Sequence, residues 1–258
     1  MIPFRTRLVL PLALAAVLGA MVTSPAHAGA LGKALSKEVA SRMAVRQSLT
    51  SAERQALQKT LRQMDTRTLA ALEARYGAHI PKEALLKAKQ KPSVFLDEAS
   101  YQAWLQRAYP NASPRELRGV VGDMHPLTGG VTVNRNQATL VRTLAHERVH
   151  QMSHPRFGQR MGSDFDEGVT DFFAARVSSD MSLRGAAVGY PAQRELAGLL
   201  VARVGEGPVA RAYFRGEFDL LARNLERELG PRAFTTFQGH LQRQDYAAAR
   251  ALLLSSKP

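Results

Sequence analysis

The feature of this sequence that most restricts its fold is a pair of histidines four positions apart, His146 and His150. Their side chains can reach a common ligand only if the backbone between them brings both to the same side. In an α-helix such residues share one face with Cβ atoms about 5–6 Å apart, so both imidazoles reach one ion. The surrounding stretch TLVRTLAHERVHQMSHP fits a helix that stops near Pro155. We therefore predict a helix over residues 137–153 that carries a metal-binding face.

Glu147 follows the first histidine directly and is placed beside a bound metal ion rather than on it. Zinc lowers the pKa of a coordinated water to about 7. A carboxylate next to that water can act as general base and then protonate the leaving amine. The pattern H-E-x-x-H thus predicts hydrolysis, with Glu147 as the catalytic base.

A third ligand is expected downstream, and Glu167 is the preferred candidate because it heads a second helix near residues 166–178. Two histidines and one glutamate would leave the fourth tetrahedral position open to water. Asp171, one turn further on, could accept the free N–H of a ligand histidine.

Three other residues remain alternatives for the third ligand. His154 continues the four-residue spacing, but it also suits a helix C-terminus, where the dipole favours its charge. Asp164 or Asp166 could supply an oxygen, although one of them is expected to cap the second helix.

At His146–His150 and Glu167–Asp171 the sequence resembles the gluzincins, the thermolysin-like zinc metallopeptidases, which carry H-E-x-x-H on one helix and E-x-x-x-D on the next. The resemblance covers about residues 137–175. It implies a zincin-like core and one Zn²⁺ bound by His146, His150 and Glu167. It also implies that Glu147 is the base, that Asp171 orients His146, and that the substrate is a peptide or protein.

The residue that stabilises the developing oxyanion is less defined. Tyr190, in the loop-like GYP, is our candidate, and other possibilities are Tyr213, His240 and Tyr246. His125 could line the cleft or face solvent. The run GGVTVNRN could be an edge strand that pairs with an extended substrate, or an interior strand.

The N-terminus has the three parts of a secretory signal. Arg5 and Arg7 precede an apolar run over residues 8–22, and Ala26-His27-Ala28 follows. The run is shorter than the roughly 20 residues that span a bilayer. We expect cleavage after Ala28, a secreted or periplasmic location, and no transmembrane anchor in the mature chain.

Composition narrows the remaining possibilities. The chain has no cysteine, which excludes disulfides and thiolate metal sites. Its 35 basic and 22 acidic residues give a formal net charge of +13. The basic residues are dispersed, without the aromatic interleaving that stacks bases, so no nucleic-acid partner is expected. The sequence leaves the oligomeric state open.

Helical patterns dominate, and we predict a mostly helical α+β fold. Residues 29–90 form a helical region, a propeptide or a lobe, in which a capping box begins at Thr50; residues 91–258 form the metallopeptidase domain. A hairpin over residues 118–134 precedes the H-E-x-x-H helix, and the C-terminal part is helical, with one helix opening at Pro208.

Two other functions are kept as alternatives. A non-catalytic secreted binding protein could use the same fold without metal. A basic module could bind envelope polymers or nucleic acid, with an affinity that falls steeply as salt rises.

Overall fold

The computed structural model describes residues 50–137, 139–180 and 189–255. Twelve helices and three short strands lie in these ranges. The predicted fold class, α+β and mostly helical, is confirmed. The predicted signal peptide and residues 29–49 lie outside the described residues.

The chain divides between Gln63 and Met64 into two compact units. The first helix, α1 (Ser51–Tyr76), runs across this boundary. Its predicted capping box is confirmed: the Glu53 amide donates to Thr50 Oγ1 at 3.3 Å, and the Thr50 amide donates to Glu53 Oε2 at 2.8 Å. The elements below belong to the unit that begins at Met64.

The first part of this unit contains α2 (Lys82–Gln90), β1 (Val94–Leu96), α3 (Glu98–Ala108) and α4 (Pro114–Leu117). Asp97 caps α3 by accepting the Ser100 amide at 2.9 Å, as its position after an apolar run predicts. A small hydrophobic cluster joins α3 to the segment around α4; its buried members are Tyr101, Leu105, Leu117 and Val120.

The predicted hairpin is confirmed as β2 (Gly122–Met124) and β3 (Val131–Asn134), paired antiparallel with Asp123 opposite Thr132. β1 joins the other side of β3 in parallel, which gives the order β1–β3–β2. The run GGVTVNRN therefore contains the central strand, and its interpretation as an edge strand is wrong. Among the described residues, β2 is the edge strand on that side.

Three consecutive helices carry the two sequence motifs: α5 (Leu140–Met152), α6 (Pro155–Met161) and α7 (Ser163–Asp180). α5 packs on β2 and β3 and also on α7. Ten of its thirteen residues are buried, so it lies at the centre of the unit rather than on its surface.

The predicted helical C-terminal part contains α8 (Pro191–Val204), α9 (Glu206–Arg215), α10 (Asp219–Leu229), α11 (Ala233–Gln242) and α12 (Tyr246–Leu254). The single helix predicted from Pro208 is wrong, because the chain breaks at Gly216. Gly216 has a φ of +67°, and a Cβ there would lie 2.7 Å from Nδ1 of His154.

The main hydrophobic core lies among α5 to α12 and the end of α1. Phe157, Phe173 and Tyr213 form its aromatic centre. The ring centroid of Tyr213 lies 5.0 Å from that of Phe157 and 5.3 Å from that of Phe173. None of the helices in the described ranges has both the length and the apolar character needed to cross a membrane.

Candidate metal centre

His146 and His150 on α5 meet Glu167 on α7 as the spacing predicts. One carboxylate oxygen, Glu167 Oε2, lies 3.1 Å from His146 Nε2 and 3.3 Å from His150 Nε2. Within the described residues, this is the one group of three or more His, Asp or Glu side chains that could hold a metal ion.

The separations of Glu167 Oε2 from the two imidazole nitrogens suit a small metal site. Zinc binds nitrogen and oxygen ligands at about 2.0–2.2 Å, which places the corners of a tetrahedron roughly 3.3 Å apart. The two donor separations that involve Glu167, 3.1 and 3.3 Å, are close to that value. All three donor atoms lie within 4.8 Å of one another, so this group could hold a metal ion.

The three donors are almost completely removed from solvent, with 0%, 4% and 6% exposure for His146, His150 and Glu167. Burial opposes charge on His146, but Asp171 and Glu167 outweigh it and raise the pKa of this imidazole to about 10. Burial likewise opposes charge on Glu167, yet the two histidines lower its pKa to about 2. The two imidazoles and the carboxylate therefore favour opposite charges on each other in this buried group.

Thr170 orients the second histidine. Its hydroxyl donates to the Asp166 carbonyl oxygen at 2.7 Å, and its Oγ1 lies 3.3 Å from His150 Nδ1 and 2.5 Å from the Tyr213 hydroxyl. Because the Thr170 proton is used on the carbonyl, His150 Nδ1–H and Tyr213 O–H must donate to Oγ1. With Nδ1 used in this way, Nε2 is the His150 nitrogen that a bound metal ion would contact.

Asp171 lies behind the first histidine but is mainly bound to arginines. Arg142, one turn before His146 on α5, donates to Asp171 Oδ1 from Nε and Nη2 at 3.2 and 2.6 Å. Arg194 on α8 donates to Oδ2 at 3.2 Å. His146 Nδ1 lies 3.9 Å from Asp171 Oδ1, close enough for electrostatic support but longer than a hydrogen bond.

Glu147 is fully buried, and neither of its carboxylate oxygens has a hydrogen-bond partner of regular geometry, although the Met124 backbone is close enough to favour its charged form. Burial raises its pKa well above the usual range. The side chain fits because Gly122 on β2 has no Cβ; a Cβ there would lie 2.8 Å from Glu147 Oε1. The predicted base is therefore held between α5 and the edge strand.

A second polar group near Glu147 was not predicted from the sequence. Asp123 on β2 is buried and accepts a hydrogen bond from the Tyr109 hydroxyl at 2.5 Å, while its Oδ2 has no partner. Burial raises the pKa of Asp123 to about 6. The buried Tyr101 hydroxyl also lacks a partner. Unpaired polar atoms are costly, so this side of Glu147 suits water or a polar substrate group.

The alternative ligands do not join the metal group. His154 Nδ1 accepts the Arg156 amide at 3.2 Å and caps α6, instead of ending the preceding helix. Asp164 accepts the Tyr246 hydroxyl at 3.1 Å. α7 begins at Ser163, so Asp164 and Asp166 lie in its first turn, and the expected aspartate cap is wrong.

The candidates for oxyanion stabilisation have separate positions. Tyr190 immediately precedes α8 in a left-handed conformation, with φ 43° and ψ 45°. Tyr213 supports Thr170, and Tyr246 contacts Asp164. His240 faces Asp245 at 3.8 Å, and His125 Nδ1 accepts the Thr128 amide at 3.4 Å. The role of Tyr190 stays a prediction.

Helix α8 approaches α7 directly beside the third donor. A Cβ on Gly168 would lie 2.4 Å from the Cβ of Gln193, so only glycine permits this contact. The beginning of α8, which Tyr190 precedes, is thereby placed next to the turn of α7 that carries Glu167.

Comparison with known proteins adds no family assignment. No protein-family model, curated protein or solved structure matches the chain. What can be inferred about function therefore depends on the geometry of this site.

Proposed function

We propose that this protein is an exported zinc-dependent metallopeptidase of the gluzincin type. The observation that carries the proposal is the convergence of His146, His150 and Glu167, with the buried carboxylate of Glu147 on the residue that follows His146. Their donor set of two imidazoles and one carboxylate is typical of catalytic zinc sites. Export rests on the N-terminal pattern of residues 1–28.

A bound zinc ion would supply a Lewis acid that activates water and polarises the scissile carbonyl. Glu147 accepts the proton of the attacking water and transfers it to the leaving nitrogen. Its buried position supports this role, because low polarity makes the carboxylate a stronger base. The positive charge of a bound ion would oppose that rise and favour the ionised carboxylate.

Tyr190 is proposed as the donor to the oxyanion, supported by the contact between Gly168 and Gln193 that places the start of α8 beside the turn of Glu167. We expect Tyr190→Phe to keep zinc and to lower kcat about 10²-fold, the usual effect of losing one such donor. A variant with unchanged kcat would assign this role to another residue.

The test of the proposed function compares three variants by elemental analysis for zinc and by cleavage of casein and of a mixed peptide library. Glu147→Gln should keep one zinc ion but lose hydrolysis by at least about 10²–10⁴-fold, because the site keeps its donors and loses its base. His146→Ala should lose both zinc and hydrolysis.

His154→Ala is the matched control, since His154 lies in the same stretch but caps α6 outside the metal group. It should retain zinc and activity. A wild-type protein that binds no zinc and cleaves nothing would support the non-catalytic binding protein instead. Hydrolysis that persists in Glu147→Gln would contradict the assigned base.

A further inference from the structure

A basic cavity lies apart from the residues of the metal centre, where α6 meets the connection from α9 to α10. Its volume is about 480 Å³. Four arginines line it, Arg156, Arg160, Arg211 and Arg223, together with the two acids Glu217 and Asp219. The formal charge of the lining is therefore 4 − 2 = +2, concentrated in one concave surface.

The internal ion pairs of the cavity use only one of its arginines. Arg211 donates from Nε and Nη2 to Glu217 Oε2 at 2.8 and 2.6 Å. None of the ion pairs among the described residues includes Arg156, Arg160 or Arg223. Three guanidinium groups are therefore available to an anion from outside.

Arg160 has the most packing contacts with aromatic rings of these three arginines. It is half-buried, and its guanidinium carbon lies 4.7 Å from the ring centroid of Phe218 and 5.2 Å from that of Phe234. Cation–π contacts of this kind hold the plane of the group while its N–H donors stay free at the edges. A side chain that is ordered in advance loses less entropy when a ligand binds.

We propose that this cavity binds a phosphate group. Guanidinium forks match the paired oxygens of phosphate and give charge-assisted hydrogen bonds. A phosphomonoester carries about −1.5 to −2 charges at pH 7, which balances the +2 of the lining. The phosphate could belong to a soluble phosphomonoester or to the headgroup of an anionic lipid. The proposal does not depend on the proposed peptidase activity.

The first experiment is calorimetric titration of the full protein with inorganic phosphate. Arg160→Gln and Arg223→Gln should each weaken binding at least about tenfold, because each removes charge-assisted hydrogen bonds. Arg160→Lys should also weaken it, since a lysine keeps the charge but loses the planar fork.

Arg227→Gln is the matched control: Arg227 lies one turn beyond Arg223 on α10, is 65% exposed, and contacts Glu228 outside the cavity. It should bind phosphate as the wild type does. His146→Ala should also bind normally, which separates this cavity from phosphate bound by the metal. Absence of saturable binding, or equal loss in Arg227→Gln, would show that the arginines are only a solvated basic surface and would overturn the proposal.

Vesicle sedimentation identifies the source of the phosphate. If the headgroup is the ligand, vesicles containing phosphatidic acid, a phosphomonoester, should bind the wild type and Arg227→Gln but not Arg223→Gln, whereas phosphatidylcholine vesicles should bind none of them. If a soluble phosphate is the ligand, the calorimetric differences should appear without vesicle binding. Vesicle binding that is equal in all variants, without saturable phosphate binding, would again overturn the proposal.

Discussion

At the scale of single residues, the hydroxyl of Thr170 determines which nitrogen of His150 can bind a cation. It accepts from His150 Nδ1 and Tyr213 while donating to the Asp166 carbonyl. No role is predicted for Thr170 from the sequence, although it lies three positions after Glu167 on the same helix. The only available signal was this spacing, because the contact with Tyr213 joins residues 43 positions apart.

We predict that Thr170→Val weakens zinc binding about 10- to 100-fold, the usual effect of removing a group that orients a metal ligand. Valine keeps the volume but accepts no hydrogen bond. Affinity can be measured by competition with a fluorescent zinc chelator. Ser178→Ala is the control, since Ser178 is also buried on α7 and donates to the carbonyl four residues back, but contacts no ligand in the described structure. Equal affinities in the two variants would contradict the role of Thr170.

Asp123 should make the stability of the metal-free protein depend on pH. Burial raises its pKa from 3.8 to about 6. The folded state thus holds a proton that the unfolded state releases near pH 4, and stability falls as pH rises from about 4 to 6. Asp123→Asn should therefore raise the free energy of unfolding by roughly 1–3 kcal/mol at pH 7 and change it little at pH 4.

Urea denaturation at both pH values, with a chelator present, checks this. Asp97→Asn is the control with the opposite sign, because hydrogen bonds from Ser100 lower the pKa of Asp97 and favour its charged form. It should not stabilise the protein at pH 7. A gain in Asp123→Asn of equal size at both pH values would show that ionisation is not the cause.

At the scale of elements, the position of Glu167 depends on how closely α8 packs against α7. Gly168 and Gln193 come together where no side chain could fit. The periodicity of the sequence predicts both helices, but not their contact. Close packing of this kind depends on the shapes of both surfaces, which local patterns do not report.

Gly168→Ala should destabilise the protein by about 1–3 kcal/mol, since the new methyl group overlaps the backbone of α8. It should also weaken zinc binding, because Glu167 is the adjacent residue. Gly198→Ala is the matched change in α8: its Cβ would meet Phe172 at an ordinary 3.7 Å, so the higher helix propensity of alanine should make it neutral or stabilising. Thermal unfolding of both variants gives the comparison, and a stable Gly168→Ala would contradict this packing.

The elements that the sequence predicted well are those defined by local signals. The helix containing His146 follows from its own periodicity, and the hairpin follows from Pro126 and Gly129-Gly130 between two β-rich runs. The parallel pairing of β1 with β3 could not be predicted, because α3, α4 and β2 lie between these two strands in the chain. The hydrogen bond between Tyr109 and Asp123 could not be predicted either, because α4 lies between these two residues in the chain.

At the scale of the whole compact unit, a buried ion pair joins its N-terminal helices to the metal-binding helix. Arg148, inside the H-E-x-x-H motif, donates to Asp65 at 2.8 and 2.5 Å. It also donates to the carbonyl oxygens of Ala88 and Lys91 at 3.2 and 3.0 Å. Charge removed from water needs such partners, and here they come from residues 65–91.

We predict that Asp65→Ala destabilises the protein by about 3–5 kcal/mol, because it leaves the Arg148 charge buried without its partner. Glu195→Ala removes an exposed partner of Arg250 and should change the free energy of unfolding by no more than about 0.5 kcal/mol. Urea denaturation measures both. Mass spectrometry of the exported protein should find residues 65–91 retained; a mature chain that begins after Lys91 would show that this region is a propeptide.

Helix α5 carries two of the three candidate metal donors, the proposed base Glu147, and Arg148, which binds the N-terminal helices. Only three of its thirteen residues are not buried. An engineer who wished to alter selectivity would find little room for substitution within it. Substitutions that change specificity would have to be made in the neighbouring segments β2 and α8, while the sequence of α5 is kept almost unchanged.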